Sequence, residues 1–183
     1  LHEHIERVLF TEEQINARIK EIGQQITQEY APHIEAGESL VLVCILRGAA
    51  MFMARLACEI KLPLEMDYMA VSSYGNGAKS SGTVRIQKDL SADIAGKHVI
   101  IVEDIVDTGL TLKFIKKNLL SRGPVSVEVA ALLQKEREDT NVQISRYTCF
   151  TCPDQFVVGV GLDYAERYRN LPYIGVLKPQ IYE

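Results

Sequence analysis

The chain has 183 residues, 47% of them hydrophobic and 24% charged, with 20 Lys and Arg against 24 Asp and Glu and a formal net charge of -4. A chain of this length can bury about 70% of the surface it exposes unfolded, so it needs no disulfide or metal staple; one domain over residues 1–183 is expected, and disorder is a poor reading. The acidic balance argues against general binding to nucleic acid or to an anionic membrane, but a small anion can still be held by a local site of opposite sign.

Taken in chain order, the first ten residues carry His2, Glu3, His4, Glu6 and Arg7 in place of an apolar signal core. No run approaches the ~20 apolar residues of a membrane span. A cytoplasmic, reduced protein is expected, with His2 and His4 as a solvated terminus rather than a metal pair. Thr11 and Gln14 make a capping box, and Ile15, Ile19, Ile22, Ile26 and Tyr30 then form one helical stripe that Pro32 and Gly37 close. Residues 39–46 (SLVLVCIL) are too continuously apolar for a one-sided strand and predict a strand buried on both faces. After the break at Arg47 and Gly48, residues 49–60 read as a helix and 64–72 as a strand, which implies a right-handed parallel crossover.

Residues 73–82 (SYGNGAKSSG) read as a mobile loop. Strands are predicted at 83–88, 98–102, 125–133 and 143–148, a helix at 111–121, and short apolar runs at 156–159 and 173–177. Strands alternating with helical crossovers make an α/β fold with an open, mainly parallel sheet flanked by helices. In such sheets a ligand sits beyond the carboxyl ends of the strands, where Arg47-Gly48, the loop after Ser72 and the segment after Val102 all fall. Cys44 and Cys58 lie in apolar runs and read as buried thiols. Cys149 and Cys152 form a lone C-x-x-C, short of the four ligands of a structural zinc.

Residues 99–111 (VIIVEDIVDTGLT) concentrate the chemistry. A buried strand runs into Glu103 and Asp104, then Asp107, then Thr108-Gly109-Leu110-Thr111 at the head of a helix. The turn offers backbone N–H groups, two hydroxyls and a helix N-terminus, a cradle for phosphate. Three carboxylates beside it would repel that phosphate unless they serve ribose hydroxyls or a hydrated Mg2+. Capping by Asp107 or Thr108 and a solvated strand end account for the residues singly, but not for the whole run.

This run resembles the phosphoribosyl pyrophosphate (PRPP) signature of the type I phosphoribosyltransferases. Residues 153–172 (PDQFVVGVGLDYAERYRNLP), Leu132-Leu133-Gln134-Lys135, the LRG at 46–48 and the SSYG at 72–75 are similar to the bacterial branch of the hypoxanthine-guanine phosphoribosyltransferases. The resemblance implies the type I fold, with a small hood from the C- and N-terminal segments over the base site. It implies transfer of 5-phosphoribose from PRPP to N9 of a 6-oxopurine, dependent on Mg2+, in a homodimer or homotetramer.

Residue by residue, the resemblance implies that Glu103 and Asp104 hold the ribose hydroxyls and metal, and that Asp107 is the catalytic base or proton acceptor near purine N7. Asp107, Thr108, Gly109, Leu110 and Thr111 would surround the 5′-phosphate. Arg47, Gly48 and Arg169 would bind pyrophosphate, with the Leu46–Arg47 peptide cis, and Ser73 and Tyr74 would form a lid that excludes water from an oxocarbenium-like ribosyl cation. Lys135 would donate to O6, Phe156 would stack on the purine, the Val157 backbone would read its other edge, and Asp163 would hold a second Mg2+. From spacing alone, Phe156 reads equally as core strand and the segment from Asp163 to Arg169 as a charged turn. Gln155 and Val160 depart from the charged residue and tyrosine common in relatives, which leaves the preference among hypoxanthine, guanine and xanthine open. A regulatory RNA-binding protein on the same fold is the rival of another class; Lys113, Lys116 and Lys117 are the densest basic spot and read as a solvated face. Met51, Phe52 and Met53 read as interface or core.

Overall fold

The computed structural model describes residues 1–73, 84–138 and 143–183. Its larger sheet has the order β4-β3-β2-β5-β6-β7, built from β2 (Leu40–Leu46), β3 (Glu65–Ser73), β4 (Val84–Lys88), β5 (His98–Val106), β6 (Ser126–Lys135) and β7 (Tyr147–Cys152). All neighbours are parallel except β4, which lies antiparallel on β3 at the edge. The alternation of a strand sorts β2 onto two cores. Leu40, Leu42 and Cys44 join the helices α1 (Glu12–Glu35) and α2 (Ala50–Glu59) on one face, while Val41, Val43 and Ile45 meet α3 (Leu110–Leu120) through Ile115 and Leu119 on the other.

The Thr11 capping box is present in both directions: Thr11 Oγ1 accepts from Gln14 N–H and Gln14 Oε1 from Thr11 N–H. Pro32, expected to help end α1, instead lies inside its last turn, where a missing N–H frees only one carbonyl. Gly37 provides the stop, at φ +88°. Two other expectations move. The strand sought at 143–148 begins later, at Tyr147, where burial of Tyr147, Cys149 and Cys152 sets in. β5 outruns Val102 to Val106, because β6 continues to pair with it through Glu103–Ala131, Ile105–Leu133 and Val106–Gln134 after β2 has left the ladder at Cys44–Val102.

A second, antiparallel sheet of order β1-β9-β8 joins the ends of the chain, from β1 (Ile5–Phe10), β8 (Val157–Val158) and β9 (Ile174–Leu177). The short helix α4 (Pro179–Tyr182) follows. This is the hood, and β1 was not foreseen because its half-exposed pattern lacks an apolar face. Nor is the start a loose solvated terminus: His2 Nδ1 bonds Tyr173 Oη at 2.6 Å and His4 Nδ1 bonds Tyr168 Oη at 2.7 Å. Cys58, expected buried, is exposed on the outer side of α2, whereas Phe52 and Met53 are core. Lys113 and Lys117 are exposed and Lys116 half-buried, on the face of α3 away from Leu112, Ile115 and Leu119. Among the described residues no helix is long and apolar enough to cross a membrane.

Where α1 crosses α2, Gly23 is the contact. A Cβ there would fall 2.5 Å from Glu59 Cβ and 2.7 Å from its carbonyl oxygen. Gly to Ala inside a helix ordinarily stabilises by roughly 0.5–1 kcal/mol. Gly23→Ala is expected to do the reverse, lowering stability by about 1–3 kcal/mol as the helices are forced apart, read as a lower midpoint in denaturant melts.

Candidate active site

Because β5 projects past β2, its last residues border a gap, and two glycine-containing segments fill it. A Cβ on Gly48, in the turn after β2, would lie 1.8 Å from Asp104 Oδ2, and a Cβ on Gly161 would lie 2.0 Å from the Gly48 carbonyl oxygen. Three separate stretches of chain thus meet backbone to side chain. The Leu46–Arg47 peptide is cis.

Glu103 and Asp104 sit at the centre of this meeting point. Burial, and then the charge of Asp104, push the Glu103 carboxyl well above the usual carboxylate range. Asp104 is raised as well, chiefly by burial, against the opposing pull of the Ile105 N–H, which donates to Asp104 Oδ1 at 2.6 Å. The pair is therefore short of compensating positive charge.

The loop after β8 supplies arginine and acid. Arg169 Nη1 donates to Gly161 O at 2.6 Å and lies 3.4 Å from Asp163 Oδ1, while Nη2 is 3.2 Å from Glu166 Oε2. Arg47 Nη1 donates to Glu166 Oε2 at 2.6 Å, so one glutamate holds the two arginines assigned to pyrophosphate. Arg169 Nε is buried with no hydrogen-bond partner among the described residues. Val160, Ala165, Glu166 and Tyr168 all adopt positive φ, so this loop is held in a shape that side chains disfavour. Among the described residues Asp163 does not join Glu103 and Asp104 in one tight cluster of donor atoms.

On the other side of β5, Asp107 is bound by Arg137, whose Nη1 lies 2.5 Å from Asp107 Oδ1. Lys135, at the end of β6, places Nζ 3.9 Å from Asp107 Oδ2 and 3.4 Å from Asp154 Oδ1. A cavity of about 770 Å³ adjoins them, lined by Glu136, Arg137, Glu138, Pro153 and Asp154. Gly109 precedes α3 with φ +78°, and a Cβ there would strike Ile144 Cδ1 at 2.0 Å, so glycine is required by backbone and packing independently of any ligand. The Leu110 N–H donates to Thr108 Oγ1 at 3.4 Å, and Thr111 lies in the first turn of α3.

Phe156 is 38% exposed, which removes the core-strand reading. One face stacks on Tyr182 at 4.9 Å and the ring meets Tyr164 edge-on at 5.5 Å. Val157 is buried in β8, paired with Val176. Gln155 accepts from Arg7 of β1, and Val160 is fully buried, so Val160 does not present its side chain at an open edge. Ser73 ends β3, while Tyr74 and the rest of the expected loop up to Thr83 lie outside the described residues.

Residues 9–165 match the model of the phosphoribosyl transferase domain. The hypoxanthine-guanine phosphoribosyltransferase of Mycobacterium bovis is 50% identical over 181 residues, 98% of this chain and 89% of the relative. That of Streptococcus thermophilus is 48% identical over 183 residues, 100% of this chain and 98% of the relative. The crystal structure of a hypoxanthine phosphoribosyltransferase from Staphylococcus aureus superposes with a TM-score of 0.92 at 48% identity, covering 100% of this chain and 96% of that one. The chain belongs to the hypoxanthine-guanine phosphoribosyltransferases.

Arg137, Asp154, Glu166 and Tyr182 have no role assigned from sequence, although Asp154 and Glu166 lie within residues 153–172, and all four touch assigned residues. Arg137 had a signal, standing two residues after Lys135 where an extended chain repeats its facing. Tyr182 had none, since its contact with Phe156 spans the hood.

The strain at Glu103 has a measurable consequence. A carboxyl whose native pKa is raised keeps its proton in the folded state after the unfolded chain has lost it. Stability therefore falls as pH climbs from the ordinary glutamate value, about 4.3, through the raised one, and stays reduced above it. Glu103→Gln is expected to melt a few degrees higher than the parent at neutral and alkaline pH, a gain of roughly 1 kcal/mol, and to match it below about pH 4. Thermal melts of the two ligand-free proteins across a pH series check this.

Proposed function

We propose that the chain works in purine salvage, transferring the 5-phosphoribosyl group of PRPP to N9 of a 6-oxopurine, hypoxanthine or guanine, and releasing pyrophosphate. Residues 1–183 act as a single phosphoribosyltransferase domain. The observation that carries the reading is the pairing of a fixed donor with a fixed acceptor: Lys135 Nζ stands 3.9 Å from Asp107 Oδ2. N7 and O6 share one edge of a 6-oxopurine, so an ammonium and a carboxylate side by side read that edge together. An adenine would turn its 6-amino donor toward an ammonium that can only donate.

Asp107 is assigned the acceptance of the purine proton as the bond to N9 forms. Its present partner Arg137 must yield part of the carboxylate to do so. Thr108, Gly109, Leu110 and Thr111 are assigned the 5′-phosphate, where N–H groups at the start of α3 would face an anion. Glu103 and Asp104 take the ribose hydroxyls. Arg47, Gly48 and Arg169 take pyrophosphate, and the unpartnered Nε of Arg169 is the donor such an anion would satisfy. Phe156 and the Val157 backbone hold the base, and Ser73 with Tyr74 excludes water.

Mg2+ fits the donor set: Glu103, Asp104 and Asp163 offer hard carboxylate oxygens, and a dication would relieve the crowded charge of the first two. When bound, it would neutralise charge developing on the leaving pyrophosphate. The protein is further assigned to the cytoplasm as a homodimer or homotetramer that does not bind nucleic acid.

The deciding experiment follows nucleotide formation from PRPP, Mg2+ and each of hypoxanthine, guanine, xanthine and adenine. Hypoxanthine and guanine are expected to turn over, and adenine is not; conversion of adenine at a comparable rate would overturn the reading. Asp107→Asn is expected to lose roughly 10²–10⁴ in kcat, the usual range for a general acid or base. Lys135→Gln should narrow the gap between hypoxanthine and adenine, because an amide can both donate and accept.

A further inference from the structure

The end of α1 does more than stop a helix. With Gly37 in the left-handed region, Gly37 N–H donates to Ile34 O and Glu38 N–H to His33 O, both at 3.0 Å, the two bonds of a Schellman cap. The second bond ties Glu38 to His33 through the backbone, and the side chains follow, with His33 Nδ1 3.3 Å from Glu38 Oε2. The third member comes from the sheet. His98 opens β5, its N–H donates to Ser39 O at 2.8 Å, and its Nε2 meets the same Glu38 Oε2. The three donor atoms lie within 4.8 Å of one another, at the opposite end of β5 from Glu103 and Asp104.

We propose that His33, Glu38 and His98 form a binding site for a borderline transition-metal dication, with Zn2+ as the reference ion, separate from the transferase centre. Two imidazoles and a carboxylate are a zinc donor set, distinct from the all-oxygen sets that magnesium takes. Two ligands about 2.0–2.1 Å from one tetrahedral ion stand about 3.3 Å apart, which is the separation of His33 Nδ1 and Glu38 Oε2. Outer support is in place as well. Ser126 Oγ lies 2.7 Å from His98 Nδ1 and can accept its proton, which leaves the Nε2 lone pair toward the ion.

His98 is only 4% exposed, so its ring is held by packing. His33 lies in the last turn of α1, where the carbonyl end of the helix favours a cation. His33 and Glu38 are half open to solvent, and a surface cavity of about 250 Å³ lined by Ile34, Glu38, Ser39 and Leu40 lies alongside. An ion can enter from there and keep water in its fourth position. Without an ion, two imidazoles converge on a single carboxylate oxygen, and each must bring a proton to it. A metal would replace both protons and join the last turn of α1, the turn before β2 and the start of β5.

The test uses the full chain stripped with chelator and returned to saturating Mg2+, which covers the carboxylates at the other end of the sheet. Co2+ and then Zn2+ are titrated into the parent, His33→Asn and Glu38→Gln. The parent is expected to bind one Co2+ per chain with the visible d–d bands of a tetrahedral site, to release it to Zn2+, and to gain in Tm with Zn2+. Both variants should bind at least ten-fold more weakly and lose the Tm gain. Each protein is compared with its own metal-free melt, so a variant that is less stable still gives an answer. Absence of the bands in the parent, or equal Zn2+ affinity and equal Tm gain in parent and variants, would falsify the site.

Discussion

β5 is longer than the neighbour it shares with the helices, and the assigned site depends on that mismatch. Pairing with β2 ends at Val102, while pairing with β6 runs on to Val106. The four residues beyond Val102 are thus held on one side only. A strand held on one side keeps its direction but leaves its other edge free, and the turn after β2 comes within contact of Asp104 there. Had β2 run as far as β5, its backbone would occupy the space in which Gly48 and Gly161 now stand.

Crowding follows from that geometry. Gly48 brings backbone close to Asp104, Gly161 packs on Gly48 in turn, and burial raises Glu103 as well. Two adjacent acids there are costly to the free protein, which is the usual condition of a site shaped for a ligand rather than for stability. On the other side of the crossing, Arg47 and Arg169 are both held by Glu166, and the pull of Arg169 on Asp104 is too weak to offset the effect of burial. A polyanionic sugar with a dication would supply the charges each group lacks, which is the physical content of the PRPP reading.

How much of this could be read from sequence depended on whether a signal was local. Residues 99–111 carry strand, acids and glycine turn within one run, and their order along β5 and into α3 is as expected. The stripe of α1 and the double-faced β2 were equally legible, because their periods are set by the backbone. What sequence could not give was partnership across distance. Arg137 on Asp107, Glu166 between two arginines and Tyr182 on Phe156 are meetings of segments that share no pattern. Phe156 is instructive: followed by two valines it looks like core, and only the hood sheet, closed by the unforeseen β1, turns its ring to the surface.

The two ends of β5 are also chemically unlike. Its first residue is an imidazole braced by a serine, in reach of a second imidazole and one carboxylate; its later residues are two carboxylates. Hard, strongly hydrated cations suit the second set and borderline cations the first, so a single strand presents a different donor set at each end. An ion held by His33, Glu38 and His98 would lie at the opposite end of β5 from Glu103 and Asp104, and would act by joining helix and sheet.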